Sequence, residues 1–454
     1  MFTTQTNEVF QVETEFNSPE TEISEDELVK KYQLAECLKW TVDNNYEKTC
    51  LQFPEELLND GTSVALYMQK KLNKTVYILG DTCYGSCCVD EVAAQHVKAD
   101  SIIHFGHACL SPVEQLPVFY VFLNQKFDVD NLYTKLQCFE KEKQVLIFYD
   151  DIFSHLYSEL LSAFKNSQNI HVSKLNTRHE TFDVGDQFQV LCGRIFPKFS
   201  ETRNISAVYL GNESITLVNL MLHLPGFEWY HYKSNDDLLT RCQFSTNKFL
   251  MKRMALVEKI KEASTIGILI GTLGIRNYLD AIKRIKLLVR NNGKRCYKLA
   301  VGKPNVAKLA NFPEIDVFVY ISCQENSLLK DFKGYYKPIV SLIEVEMALG
   351  DRPYSLEYTS DFRELLLGGS LYRELSAASD LTDLSNLSSE SKELMERNAG
   401  TLVESSGAEF LQRRTWQGLE QRIGETEVSH AVKGRSGIAQ SYVNELSTLS
   451  EEND

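Results

Sequence analysis

From about residue 46 to residue 370, short β-rich runs alternate with helical stretches, the pattern of stacked βαβ units on parallel sheets. The runs fall into three blocks. The first holds Thr75 to Leu79 (TVYIL), Ser101 to Phe105 (SIIHF) and Val118 to Leu123 (VFYVFL). The second holds Gln144 to Tyr149 (QVLIFY), Phe188 to Leu191 (FQVL) and Ser206 to Leu210 (SAVYL). The third holds Thr265 to Ile270 (TIGILI), Cys296 to Val301 (CYKLAV) and Asp316 to Ile321 (DVFVYI). Several end in Gly and a small or polar residue, as at Gly80-Asp81, Gly106-His107, Gly211-Asn212 and Gly271-Thr272, which lets the chain turn off the carboxyl end of a strand.

The fold expected is therefore α/β: three tandem related α/β domains with parallel sheets, over residues 46–140, 141–264 and 265–373, after an N-terminal extension and helix over 1–45. Between the strands, Pro54 with Glu55 and Glu56 opens one helix. Met251 to Ala263 and Tyr278 to Arg290 form others, with their basic residues read as a solvated face. Residues 374–454 read as a linker and C-terminal docking tail. The stretch 374–409 is rich in Ser, Leu and Glu and is expected to be partly disordered, while Phe410 to Ile423, with its Trp, and Gly434 to Tyr442 are expected to dock.

A net charge of −14 excludes a general phosphate-backbone binder, so no nucleic-acid partner is expected. Residues 1–26 lack the apolar core of a signal peptide. The longest apolar runs are strand-sized, against the roughly 20 residues a bilayer span needs, so no membrane partner and a cytoplasmic location are expected. Eleven cysteines, an odd number without a secretory signal, point to free thiols rather than a disulfide framework.

Chemistry concentrates in Gly80 to Asp90 (GDTCYGSCCVD), in His104 to Pro112 (HFGHACLSP) and around Cys323 in Val319 to Gln324 (VYISCQ). Each follows a predicted strand, where open α/β sheets bind ligands. Soft thiolates suit zinc or iron-sulfur clusters. Zinc sites favour paired ligands at short spacing, and Cys83 with Cys87 has no matching second pair. Three widely separated thiolates instead suit a four-iron cluster with one iron lacking a protein ligand. Cys87 and Cys88 are adjacent, which strains a direct disulfide. His104 reads as a hydrogen-bonded core residue rather than a ligand, and neither it nor His107 is assigned to a metal. Gly271-Thr272-Leu273-Gly274 reads first as a tight turn and second as a backbone cradle for a small anion. No G-x-S-x-G, Walker or H-E-x-x-H motif is present, which removes the commonest hydrolase, nucleotide triphosphatase and zincin readings.

Laid end to end, LQFPEELL (Leu51 to Leu58), YILGDTCYGSCCVDE (Tyr77 to Glu91), IHFGHACLSP (Ile103 to Pro112), LIGTLG (Leu269 to Gly274), KLANFPEIDVFV (Lys308 to Val319), RTWQGLE (Arg414 to Glu420) and GRSGIA (Gly434 to Ala439) resemble the diphthamide synthesis family over nearly the whole chain, and its second eukaryotic subunit most closely. The resemblance implies three α/β units around a central [4Fe-4S] cluster. It also implies a reaction in which S-adenosylmethionine, bound at the open iron, yields a 3-amino-3-carboxypropyl radical that adds to a histidine of translation elongation factor 2. In the catalytic subunit each unit gives one cysteine. Here the middle unit offers only Cys192 in Val190-Leu191-Cys192-Gly193, which departs from that motif. The ligands carried over are Cys87 or Cys88, Cys109 and Cys323.

That changed set implies a supporting chain: a required subunit of the transferase rather than its catalytic chain, in a heterodimer with diphthamide synthase subunit 1. Its own cluster would help reduce the catalytic one, with an electron-donor protein upstream. The alternatives are that this chain cleaves S-adenosylmethionine itself, or that it is a metal-free scaffold.

Overall fold

The computed structural model describes residues 24–375 other than 81–84, 137–142, 168, 178–186, 200–204, 234–237, 243–245, 328–333 and 356–357, together with 436–438 and 441–443. Strands β1 (Lys48–Gln52), β2 (Thr75–Leu79), β3 (Ser101–Phe105) and β4 (Val118–Val121) form a parallel sheet in the order β2-β1-β3-β4. A second sheet begins with β5 (Gln144–Tyr149) and β6 (Ile170–Val172). A separate antiparallel ribbon follows, made of β7 (Lys174–Leu175), β8 (Phe188–Leu191) and β9 (Arg194–Pro197) in the order β7-β9-β8. Then β10 (Ile205–Leu210), β11 (Glu228–Lys233) and β12 (Leu238–Arg241) complete the second sheet as β12-β11-β10-β5-β6, in which β12 alone runs antiparallel. The third sheet is β13 (Thr265–Ile270), β14 (Arg295–Leu299), β15 (Val317–Ile321) and β16 (Ile339–Val340), all parallel in the order β14-β13-β15-β16.

The three sheets share one winding. Each starts with an inner strand, adds a neighbour on one side, then places its next strand on the other side. That reversal opens a crevice at the carboxyl ends of the two inner strands. Strands covered on both faces read as unbroken apolar runs, and β3, β10 and β15 are buried at every position.

The apolar runs locate TVYIL, SIIHF, QVLIFY and TIGILI at their observed bounds. FQVL is a strand but not a member of the parallel sheet. Cys192 (φ +48°) and Gly193 (φ +68°) form a left-handed turn after it, and such a two-residue turn returns the chain antiparallel. The inner strand β1 was not anticipated. Its sequence, KTCLQ, has little apolar content, yet four of its five residues are buried.

The helix Leu58–Leu72 follows a single turn of 3-10 helix at Glu55–Leu57, with Pro54 at the cap rather than inside the helix. It ends at Asn73, which takes a left-handed conformation. Its buried Val64 and Met68 lie in one core with Leu51, Phe53 and Phe105. Phe53 and Phe105 stack with centroids 4.4 Å apart. Full burial of a side chain such as Met68 stabilises by roughly 1.5–3 kcal/mol.

The helices Thr246–Glu262 and Tyr278–Asn291 correspond to the two anticipated, the first starting five residues earlier and ending one residue before Ala263. Their basic residues are not all on a solvated face. Arg253 is buried in a paired contact with Glu344, and Arg284 is buried against Glu346. Among the described residues no helix is long and apolar enough to cross a membrane. In the unit 385–454, Ser436–Ile438 and Ser441–Val443 pair as an antiparallel hairpin. The anticipated linker and docking segments over 376–435 lie outside the described residues.

Candidate metal centre

The loops after β2, β3 and β15 carry Cys87 with Cys88, Cys109, and Cys323. Their four sulfurs all lie within 4.8 Å of one another, and all four residues are buried. Cys87 Sγ stands 3.8 Å from Cys323 Sγ, and Cys88 Sγ 3.9 Å from Cys109 Sγ. Adjacent side chains diverge on a strand, but Cys87 and Cys88 sit in a turn closed by Cys88 N–H donating to Gly85 O at 3.0 Å. Both thiols therefore face the same centre, where the sequence had left a choice between them.

Neighbouring polar groups fix each loop. Gln52, fully buried at the end of β1, donates to Cys88 O at 2.7 Å and accepts from Asp90 N–H at 2.9 Å. Cys109 N–H donates to Cys87 O at 3.0 Å. The buried Glu91 carboxylate accepts from the N–H groups of Glu114, Gln115 and Leu116, which anchors the chain beyond Cys109. Leu110 takes a left-handed conformation at φ +52°. A Cβ at Gly193 would come within 2.6 Å of Leu110 Cβ, so the hairpin tip fits against the Cys109 loop only as glycine. Cys323 opens a helical turn and its sulfur accepts the Asn326 N–H at 3.4 Å, as an N-cap oxygen does.

His107 joins three loops. Its Nδ1 is 2.6 Å from Asp151 Oδ2 beyond β5, and its Nε2 is 2.7 Å from Glu325 Oε2 beyond β15. Ala108 N–H also donates to Asp151 Oδ2, and Thr216 Oγ1 donates to Glu325 Oε1. Burial alone would lower the imidazole, but Glu325 and Asp151 push it up to about 12. It is an ionic clamp outside the sulfur group. His104 is fully buried, with Nε2 against Ser86 O at 3.1 Å, and burial lowers its pKa. It is the core histidine anticipated.

Cys192 lies outside the group, with Sγ 3.6 Å from His223 Nδ1. The Gly271 to Gly274 loop is closely packed: a Cβ at Gly271 would strike the Tyr320 ring, and one at Gly274 would meet Val89 O at 3.0 Å. Sequence reasoning missed Gln52, Glu91, Asp151, Glu325 and Asn326. Only Glu325 and Asn326 carried a local signal, as the polar residues directly following Cys323.

The thiols shape one another's ionisation. Hydrogen bonds from Cys323, Cys87 and Cys88 hold Cys109 well below the usual thiol range, and the same hydrogen bonding to Cys109, with burial, raises the other three. Four buried thiolates need a cation among them. A donor set of sulfur alone selects soft metals, zinc or an iron-sulfur cluster. Beside them lies a cavity of about 190 Å³ lined by Leu110 and Gln324, the neighbours of Cys109 and Cys323, with Cys192, Arg363 and Glu364.

A family model described as "Putative diphthamide synthesis protein" matches residues 53–359, more than half of the chain. The 2-(3-amino-3-carboxypropyl)histidine synthase subunit 2 of Danio rerio is 37% identical, over 92% of this chain and 92% of that one. The protein of the same name from Schizosaccharomyces pombe is 33% identical, over 94% and 93%. Among solved structures, Dph2 from Pyrococcus horikoshii with a 4Fe-4S cluster covers 72% of this chain and 93% of its own, at a TM-score of 0.54 and 20% identity, which shows a shared fold.

Proposed function

The chain belongs to the diphthamide synthesis family, and on that premise we propose that it is the electron-relaying subunit of a heterodimeric 3-amino-3-carboxypropyl transferase. The complex uses S-adenosylmethionine for the first step of diphthamide formation on a histidine of translation elongation factor 2. Here Cys87, Cys88, Cys109 and Cys323 would hold a [4Fe-4S] cluster that would take an electron from a donor protein and supply it to subunit 1, in the cytoplasm. When bound, the cluster supplies one-electron transfer.

The observation that carries this reading is the convergence of four thiols rather than three. Three protein ligands leave one iron free to bind a substrate, as direct cleavage needs, whereas four leave none. The protein's part is then to hold the thiolates, exclude water around them and donate hydrogen bonds to sulfur.

One observation favours a second reading, a single zinc. Sulfur separations of 3.8 and 3.9 Å match the edge of a ZnS4 tetrahedron, about 3.8 Å for Zn–S bonds of about 2.3 Å. A four-iron cube needs the thiols to spread.

The test is transfer to elongation factor 2 by the reconstituted heterodimer, with the Cys109→Ser/Cys323→Ser variant of this chain. A relay predicts that the variant is slow with a limiting protein reductant and recovers with excess dithionite, which reduces subunit 1 directly. A chain that itself cleaves S-adenosylmethionine would stay inactive under both conditions. A zinc-holding or scaffold chain would be equally slow, or equally fast, with either reductant.

A further inference from the structure

Asn326 addresses three of the four cysteines. Its backbone N–H donates to Cys323 Sγ at 3.4 Å, and its side-chain Nδ2 lies 3.9 Å from both Cys87 Sγ and Cys88 Sγ. The amide occupies space that only a glycine leaves free, because a Cβ on Gly85 would stand 1.9 Å from Asn326 Nδ2. Cys109 has its own partner in Ser111 Oγ at 3.4 Å. Asn326 thus reaches both sides of the sulfur group, the turn after β2 and the turn after β15.

We propose that Asn326 sets the redox poise of the centre, its amide and backbone donors stabilising the electron-rich state, and that Gly85 is glycine so that the amide can be there. This rests on the iron-sulfur reading above. Hydrogen bonds to cluster sulfurs favour the more negatively charged, reduced form and so raise the reduction potential. Here one electron moves from an external reductant such as dithionite onto the cluster, and no bond forms or breaks. Asn326 touches sulfur rather than iron or substrate, so it is a positioning and tuning residue.

The experiment uses the full chain purified anaerobically. Iron content and visible absorption report whether the cluster is present, and a dithionite titration followed by electron paramagnetic resonance reports its midpoint. Asn326→Leu removes the side-chain donors at similar volume, and Gly85→Ala leaves Asn326 in the sequence but drives its amide off the sulfurs. Both are expected to keep their iron and to become harder to reduce, with midpoints shifted in the same negative direction. A midpoint equal to wild type in an iron-loaded Asn326→Leu protein overturns the proposal.

The wild-type protein gives a second reading that no folding defect can obscure. With 15N-asparagine incorporated, pulsed electron paramagnetic resonance of the reduced state is expected to show a weak nitrogen coupling that is lost in Asn326→Leu or, if that variant does not load, in Asn326→Gln. No asparagine coupling in the wild type overturns the proposal. A wild-type protein without iron instead overturns the iron-sulfur reading on which it rests.

Discussion

The sulfurs of Cys87 and Cys323 stand 3.8 Å apart across 236 residues of chain. No local preference creates that contact. It depends on two sheets with the same winding presenting their carboxyl ends to one crevice, and on a few buried polar groups that hold the loops there.

Single serine substitutions at Cys87, Cys88, Cys109 and Cys323 should each lower iron per chain, with Cys88→Ser no milder than Cys87→Ser, because both sulfurs face the centre. Cys192→Ser should leave iron unchanged, since that sulfur is spent on His223. Iron and acid-labile sulfide assays on anaerobic preparations check both statements.

Gln52→Leu keeps most of the side-chain volume but strands the Cys88 carbonyl and the Asp90 N–H in the interior. Each unpaired buried group costs roughly 1–3 kcal/mol. Urea denaturation of the metal-free protein should show a lower midpoint with an unchanged slope, and iron retention should fall because the Cys87-Cys88 turn loses its anchor.

His107→Gln should destabilise the metal-free protein, and the penalty should depend on pH. The folded imidazole is raised to about 12 by Glu325 and Asp151, against burial, from an unfolded value near 6.5. A raised value means that its contribution is complete below about pH 6.5 and declines as pH climbs toward 12. The gap in melting temperature between wild type and variant should therefore be wider at about pH 6 than at about pH 9. A gap that widens with pH would contradict the clamp.

Gly193→Ala meets two obstacles: a left-handed φ of +68° and a Cβ only 2.6 Å from Leu110 Cβ. The strain falls on the residue beside Cys109. A melting temperature lowered by several degrees is expected, together with weaker iron retention. Alanine at Gly293, which is also left-handed at φ +66° but has open space around its Cβ position, should cost stability without touching the iron.

The cysteines were legible because strand-like runs place them at carboxyl strand ends. The choice between Cys87 and Cys88 was not, because it is made by the turn closed by Cys88 N–H on Gly85 O. The inner strand β1 was invisible for a different reason. Its burial comes from neighbours on both sides, not from apolar content. FQVL misled in topology only, since nothing in Leu191-Cys192-Gly193 announces that a cysteine will adopt φ +48°. The supports Gln52, Glu91 and Asp151 act across loops distant in sequence, so each would read as an ordinary polar residue.

The most direct test of the iron-sulfur assignment is metal analysis of the full chain purified anaerobically, with electron paramagnetic resonance before and after dithionite. The account predicts about four irons with matching sulfide per chain and a reduced-state signal that disappears in the Cys109→Ser/Cys323→Ser variant. One zinc per chain, or a colourless protein without metal whose four thiols all react with a thiol reagent, would contradict it.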